Sequence, residues 1–220
     1  MVRGRGMDFE QALPLRFWIN LGRREDRRVE TEGRLEELGI TAERFAAVDA
    51  SQNPEVRDQR PEKMEIACEV RGYESAGRYA LALTQRLALR EAARRGAPAV
   101  LLLEDDVVFH PNFRTLIEAV DLPEDWGIFY LGCAHAQKPE WAGRRVVRVS
   151  RAVDTHAVAV RAPYYRRVME MLDRHGKPNP GVAKASDQFL ALLHEEIPTY
   201  ACYPNLAWQD VSESDLMGKD

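Results

Sequence analysis

The sequence lacks a long hydrophobic run. Its longest apolar stretch, Ala97 to Leu103, is about a third of the ~20 residues that a membrane-spanning helix needs. The opening residues also lack the apolar segment of an export signal. We therefore expect a cytoplasmic protein with no transmembrane segment, in which any membrane contact is peripheral and made through exposed arginines.

Cysteine is scarce, and neither sign of charge dominates. Cys68, Cys133 and Cys202 lie far apart and show no CxxC spacing, which argues against both a disulfide framework and a zinc cluster. The chain carries 31 Lys and Arg against 35 Asp and Glu, a formal net charge of −4. Because a nucleic-acid binder usually presents a basic surface, we expect no nucleic-acid partner.

The sequence does contain alternating strand and helix patterns. Its 220 residues, 45% of them hydrophobic, suffice for one domain with a substantial core. The alternation of short apolar runs with helical periodicity predicts a single α/β unit. We predict strands at 16–20, 44–48, 99–103, 127–131, 145–149, 156–160 and 199–203, and helices at 23–38, 76–95, 163–175 and 186–196.

The strongest chemical signal is the segment LLLEDDVVF. A continuous apolar strand runs directly into Glu104, Asp105 and Asp106. In open α/β sheets ligands bind beyond the carboxyl ends of the strands, and three adjacent carboxylates there favour a cation. Carboxylate oxygens suit Mg²⁺ or Mn²⁺, which often share their coordination with substrate phosphates. The alternative is a solvated acidic turn.

A second signal is the segment INLGRREDRR. A strand that ends at Asn20 and enters a helix offers backbone amides to an anion, and Arg23, Arg24, Arg27 and Arg28 add positive charge nearby. The alternative is that these arginines pair with acidic residues along a solvated helix face.

Several motifs in order resemble glycosyltransferase family 25, which includes bacterial lipopolysaccharide and procollagen galactosyltransferases. INLGRREDRR and RFAAVDA resemble the family patterns INLDRRxDRR and FxAVDG, and VLLLEDDVVF resembles VLILEDDVxF. The resemblance continues through AGRYALALTQRLALREAARRG, DWGIFYLG, THAVAVRAPYYRRVME, ASDQFL and WQDVSESDLMG. It covers the chain from about residue 16 to 218.

The resemblance implies a GT-A-type fold, a Rossmann-like mixed sheet flanked by helices in a single α/β domain. On this basis we divide the chain into an N-terminal extension (1–15), a catalytic domain (16–203) and a closing segment of the same domain (204–220). It also implies a metal-dependent enzyme that transfers a hexose, often galactose, with inversion from a nucleoside diphosphate sugar, UDP-hexose being the first choice. The acceptor would be a glycan, a peptide or a small molecule.

The resemblance assigns residues to the donor pocket. Asn20 and Leu21 would line the base and ribose, and Arg27 would brace that pocket or approach the diphosphate. Asp49 would lie near the nucleotide at the end of the second strand.

The resemblance also implies the metal and its ligands. Glu104, Asp105 and Asp106 occupy the DxD-type position, and Asp106 is the first choice as ligand of Mn²⁺ or Mg²⁺. His156 matches the histidine of the family's THA segment and would complete the metal shell or touch the diphosphate. Its alternative is a core histidine on a strand.

Asp187 matches a family aspartate and is our candidate for the general base that inversion requires. The alternative is that Ser186 and Asp187 form an ordinary helix N-cap. In the closing segment Gln209, Ser214 and Asp215 would contact donor or metal.

One departure from the family pattern concerns the donor site. The family's Ser-His pair is replaced by Thr84 and Gln85, so a titratable side chain becomes a neutral amide. Two other functions therefore stay open: a catalytically weak nucleotide-sugar-binding protein, and a nucleotidyltransferase. The second usually brings a glycine-rich phosphate loop, which does not precede the first predicted helix.

Overall fold

The computed structural model describes residues 6–50, 76–173 and 185–210. The strands in these ranges are β1 (Leu15–Asn20), β2 (Glu43–Ala46), β3 (Ala99–Glu104), β4 (Val107–Phe109), β5 (Ile128–Tyr130), β6 (Ala134–His135), β7 (Glu140–Gly143), β8 (Val146–Arg148), β9 (Ala152–Val153), β10 (Ala157–Arg161), β11 (Thr199–Cys202) and β12 (Ala207–Gln209). The helices are α1 (Phe9–Ala12), α2 (Glu25–Glu37), α3 (Ala76–Arg94), α4 (Phe113–Ile117), α5 (Tyr165–Leu172) and α6 (Ser186–Ala191).

Eight of the described strands form one mixed sheet in the order β2-β1-β3-β10-β5-β11-β8-β7. Strands β2, β1 and β3 are mutually parallel, and β10 runs antiparallel to both β3 and β5. Since β11 is parallel to β5, the carboxyl ends of β1, β3, β5 and β11 meet at one edge of the sheet, where β10 begins. We call this the carboxyl edge.

Helices cover both faces of the sheet, and β3 shows why. Its alternate residues enter two different cores: Val100 and Leu102 pack on one face, and Leu101 and Leu103 on the other. Helices α3, α5 and α6 cover the first face, and α1, α2 and α4 cover the second. A strand covered on both faces needs the continuous apolar run seen in the sequence. The predicted mixed sheet flanked by helices is confirmed.

The N-terminal residues belong to the second core. Phe9 and Leu13 are buried, and the backbone N–H of Met7 donates to the carbonyl oxygen of Val120 at 2.8 Å. The sequence did not predict the short helices α1 and α4, nor the short strands β4, β6, β7, β9 and β12. Helix α2, predicted to end at residue 38, ends at Glu37, and Gly39 beyond it adopts a φ of 59° in the left-handed region. None of the helices described is both long and apolar enough to cross a membrane.

Candidate active site

Two elements hold Asp105, which follows β3 at the carboxyl edge. From β1, the side-chain amide of Asn20 donates to its Oδ2 at 2.7 Å. From α2, Arg27 Nη1 donates to its Oδ1 at 3.0 Å, and the Thr31 hydroxyl donates to its backbone carbonyl at 2.8 Å. Arg27 and Thr31 lie one turn apart on the buried face of α2. Thr31 is a contact that the motif comparison missed.

Asp106 is buried beneath β12. Gln209 donates to its Oδ2 at 2.8 Å, and Arg27 Nη1 lies 3.5 Å from the same oxygen. Its other oxygen, Oδ1, is buried and has no hydrogen-bond partner among the residues that the structure describes. Gln209 thus reaches the site from the closing segment, whereas Ser214 and Asp215 lie outside the described residues.

Glu104 ends β3 and takes part in a buried relay. The Thr155 hydroxyl donates to Glu104 Oε1 at 2.7 Å, and Gln85 Nε2 donates to the Thr155 oxygen at 3.1 Å. Burial, together with the negative charge of Asp106, raises the pKa of Glu104 to about 8. The structure therefore places Gln85 behind Glu104. Thr155 was missed, although it directly precedes His156 in the sequence.

The arginines of α2 divide between the two interpretations of the sequence. Arg27 is buried and faces Glu104, Asp105 and Asp106, which we call the acidic turn. Arg28 lies 2.9 Å from Glu25 and 3.7 Å from Glu32, the surface pairing that the alternative predicted. One face of α2 therefore contacts the site, and the opposite face is exposed to solvent.

Asn20, at the end of β1, links the acidic turn to β2 and to the segment before α2. Its Oδ1 accepts hydrogen bonds from Arg44 at 2.7 and 3.0 Å, while its Nδ2 donates to Asp105 and to the carbonyl oxygen of Arg24. Because the side chain is almost fully buried, its two ends are fixed by these partners. Arg44 was missed: it lies in β2, in register with Trp18, and directly precedes the part of RFAAVDA that matches the family pattern FxAVDG.

A cavity of about 280 Å³ opens beside the acidic turn. Its apolar wall includes Leu21, Val48 and Ala80, and Arg27 and Asp49 line its polar side. A second set of lining residues comprises Ile19, Arg23, Thr84, Glu104, Asp105 and Asp106. Five of the predicted donor residues therefore line one cavity: Leu21, Arg27, Asp49, Thr84 and Asp105. Asn20, Gln85 and Gln209 are not among its lining residues.

Thr84 and Asp49 fix the wall formed by the end of β2. The backbone N–H of Val48 donates to Thr84 Oγ1 at 2.9 Å, and the Thr84 hydroxyl donates to the carbonyl oxygen of Ala80 at 2.8 Å. Asp49 Oδ2 accepts a hydrogen bond from Arg23 Nε at 3.2 Å. Thr84 is fully buried, so its main contribution is to the shape of the cavity.

His156 is buried at the start of β10. Its Nε2 lies 3.2 Å from the carbonyl oxygen of Ala207, which can only accept, so Nε2 carries the proton. Its Nδ1 has no partner within the described ranges, and burial lowers the pKa of the imidazole. Gly132 makes this approach possible, because a Cβ there would overlap the carbonyl oxygen of Ala207.

Asp187 lies in the first turn of α6 and is half-buried. Its Oδ2 accepts the backbone N–H of Asp154 at 3.2 Å, and its Oδ1 accepts that of Gln188 at 2.8 Å. The N-cap position belongs to Ala185, so the simple N-cap alternative is wrong. Asp154, which the sequence did not single out, has a φ of 73°, a conformation rare outside glycine.

The carboxylates do not form a metal cage by themselves. No three His, Cys, Asp or Glu side chains of the described part could hold a metal ion as a group. A Mg²⁺ or Mn²⁺ ion, however, often binds through one or two carboxylates and substrate phosphates. Asp106 Oδ1 and His156 Nδ1, which have no partner among the described residues, fit such a shared site. Beside them lies Glu104, whose pKa is raised by burial.

Comparison with known proteins bears on the family. The sequence profile described as Glycosyltransferase family 25 (LPS biosynthesis protein) matches residues 14–157. The chain belongs to glycosyltransferase family 25. The match extends from the first strand through the acidic turn to the Thr155 and His156 segment, so it covers the elements that build the cavity.

Individual relatives of this family 25 chain share limited sequence identity with it. A Glycosyltransferase 25 family member of Drosophila melanogaster is 35% identical over 106 residues, which are 44% of this chain and 17% of that protein. Among solved structures, the glycosyltransferase involved in the glycosylation of the major capsid of PBCV-1 is 12% identical with a TM-score of 0.49, covering 91% of this chain and 95% of that one. A197 from STIV is 11% identical with a TM-score of 0.43, covering 93% and 97%.

Proposed function

We propose that this chain is an inverting, metal-dependent glycosyltransferase. It would transfer a hexose, with UDP-galactose among the first candidates, from a nucleoside diphosphate sugar to an acceptor hydroxyl. The observation that carries the proposal is the acidic turn at the mouth of the cavity, at the carboxyl ends of parallel strands. The cytoplasmic location expected from the sequence is part of the same proposal.

The donor would lie in the cavity. Leu21, Val48 and Ala80 offer an apolar wall for the base, and Arg27 offers a guanidinium to the diphosphate. Because Arg27 is already anchored on Asp105, it is preorganised for this role.

Asp106, Glu104 and His156 would hold Mn²⁺ or Mg²⁺ together with the phosphates of the donor. The support is chemical: Asp106 Oδ1 and His156 Nδ1 are buried and unpartnered among described residues. Burial, together with the like charges around it, also raises the pKa of Glu104. When bound, the ion supplies positive charge that stabilises the departing diphosphate.

Asp187 would act as the general base. Two backbone N–H groups fix the orientation of its carboxylate, and α6 presents it on the face of the sheet that also carries the cavity. The acceptor oxygen forms a bond to the anomeric carbon while the bond from that carbon to the diphosphate oxygen breaks. Asp187 takes the hydroxyl proton, and attack opposite to the leaving group inverts the anomeric configuration.

The test is a transfer assay with Asp187→Asn. This variant keeps the size of the side chain but cannot accept the proton, so we expect transfer to fall by about 10²–10⁴-fold while donor binding is kept. Glu170→Gln, an exposed acidic residue on α5, is the matched control and should match wild type.

Three results would count against parts of the proposal. Equal transfer by Asp187→Asn removes Asp187 as the base. A product that retains the anomeric configuration, read by NMR of the anomeric proton, contradicts inversion. Donor binding without turnover in the wild type would favour the alternative of a nucleotide-sugar-binding protein.

A further inference from the structure

An aromatic cluster lies exposed at the far side of the carboxyl edge. Trp141 in β7 and Tyr203 after β11 are exposed large hydrophobic side chains, with relative exposures of 70% and 43%. Their ring centroids are 5.3 Å apart at an interplanar angle of 89°, and the His135 ring lies 6.2 Å from that of Tyr203. We call these three residues the aromatic platform. A tryptophan side chain is usually largely buried, and exposing it to water costs free energy. Packing of the core does not explain the exposure of Trp141.

The sheet register places the platform on the same face and edge as the candidate base. Trp141 is paired with Val147, which is paired with Ala201, and Ala201 and Val147 belong to the core beneath α6. Tyr203 directly follows β11, and its ring contacts that of Trp141, so the two rings share this face. Because β11 is parallel to β5, Tyr203 also lies at the carboxyl edge.

Contacts connect the platform with Asp187. His135 and its neighbour Ala134 form β6, which pairs with β9. The backbone of Ala134 hydrogen-bonds to the carboxylate of Asp154, and the backbone N–H of Asp154 donates to Asp187. The platform is thus continuous with the candidate base through one short two-stranded ribbon.

The spacing along the edge suits two sugar rings. Strands β10 and β5 separate β3 from β11, so three strand spacings, about 14 Å, lie between the acidic turn and Tyr203. Asp187 and Asp154 lie in the intervening region, next to the start of β10. A hexose on the donor in the cavity and a second one beside the platform would meet at Asp187.

We propose that the aromatic platform binds a sugar ring of the acceptor by stacking. This inference rests on the proposed function. The C–H groups on the face of a pyranose carry partial positive charge and are attracted by the negative face of an aromatic ring. The carboxylate of Asp154, which is hydrogen-bonded to the backbone of Ala134 next to His135, is a half-buried acceptor for sugar hydroxyls. Aromatic rings beside hydrogen-bond acceptors match the two kinds of surface that a sugar presents.

The direct test is binding without donor. The probes are labelled di- and trisaccharides of galactose, glucose and mannose, followed by saturation-transfer NMR and titration. We expect wild type and Trp141→Phe to bind a subset of them, and Trp141→Ala to bind it at least tenfold more weakly. Val29→Ala, at an exposed apolar side chain on α2, is the control and should bind like wild type.

Two binding results would overturn the platform. One is saccharide binding that is equal in wild type and Trp141→Ala, and the other is no binding to any saccharide. A proline-rich peptide is the comparison probe, because proline also packs on aromatic rings. Binding of that peptide alone, lost in Trp141→Ala, would replace the sugar with a peptide acceptor and so overturn the inference.

A donor-only assay separates this inference from the proposed function. Slow hydrolysis of the donor, in which water takes the place of the acceptor and UDP is released, needs only the cavity and the acidic turn. We therefore expect Trp141→Ala to retain this hydrolysis. If donor binding and UDP release persist, and saccharide binding is equal in wild type and Trp141→Ala, only the inference about the platform is wrong. If the wild type neither binds nor cleaves any nucleotide sugar, the proposed function is wrong, whatever the saccharide result.

Discussion

Asn20 connects three segments of the site through one side chain. It receives two hydrogen bonds from Arg44 in β2 and donates to Asp105 after β3 and to the backbone of Arg24 before α2. A side-chain amide suits this position because it has both an acceptor and two donors. Neither an aspartate nor a hydrophobic residue satisfies all of these partners.

Asn20→Ala is therefore expected to lower the free energy of unfolding by about 1–3 kcal/mol, the usual cost of leaving partners of a buried group unsatisfied. Urea denaturation measures the effect. The control is Asn112→Ala, since Asn112 is exposed and makes no side-chain capping bond at α4, and it should change the stability by less than about 0.5 kcal/mol. Equal losses in both variants would contradict the bridging role of Asn20.

His194 is expected to make stability depend on pH. Burial lowers the pKa of its imidazole to about 4. The backbone N–H of Ala152 lies 3.4 Å from Nδ1, so Nε2 carries the proton and faces the hydroxyl of Tyr130 at 3.1 Å. The folded protein therefore holds His194 neutral, whereas the unfolded chain binds a proton below about pH 6.5. The stability is fully present above that pH and is lost as the pH falls from 6.5 towards 4.

Replacing His194 by Gln removes this titration and keeps a donor and an acceptor. Between pH 7 and pH 5 we expect the wild type to lose about 2 kcal/mol more stability than His194→Gln, as measured by urea unfolding at both pH values. Parallel pH profiles for the two proteins would show that His194 titrates normally in the folded state.

At the scale of elements, β12 is the part of the chain that closes over the acidic turn. It pairs with β4, and it brings Gln209 onto Asp106 and the carbonyl oxygen of Ala207 onto His156. This approach depends on the absence of a side chain at Gly132.

Gly132→Ala is expected to displace β12, because the added Cβ overlaps a backbone oxygen that cannot rotate away. We expect a loss of about 2–3 kcal/mol in unfolding free energy, in the range of other overpacked sites. Gly22→Ala is the matched control, since a Cβ at Gly22 meets nothing within 4 Å, and it should be close to neutral. A neutral Gly132→Ala would show that β12 has room to move.

The sequence predicted the elements that carry their own apolar or helical pattern, and missed short elements such as β4 and β12. Strand β3 and helix α3 match their predicted ranges to within one residue at each end, since their patterns are long and unbroken. The short strands β4 and β12 have no such pattern, because they are defined by pairing with each other. The position of Glu104, Asp105 and Asp106 at the end of β3 was predicted from the sequence. By contrast, Arg44 binds Asn20 and Thr155 binds Glu104 through long-range contacts that a linear pattern does not encode.

At the scale of the whole molecule, the three parts of the proposed site lie in a row along the carboxyl edge. The cavity lies by β1 and β3, the candidate base by the start of β10, and the aromatic platform beyond β11. The mixed sheet makes this possible, because the antiparallel β10 adds the amino end of a strand to an edge built from carboxyl ends. Donor and acceptor would therefore approach from opposite sides of Asp187.

The central claim is that the acidic turn binds a nucleoside diphosphate sugar together with a divalent ion. The most direct measurement is calorimetric titration of UDP and UDP-hexoses, with and without Mn²⁺, on wild type, Asp106→Asn and the control Glu170→Gln. We predict binding that requires Mn²⁺ in wild type and control and is at least tenfold weaker in Asp106→Asn. Binding that ignores both Mn²⁺ and the substitution, or no binding of any nucleotide sugar, would contradict the claim.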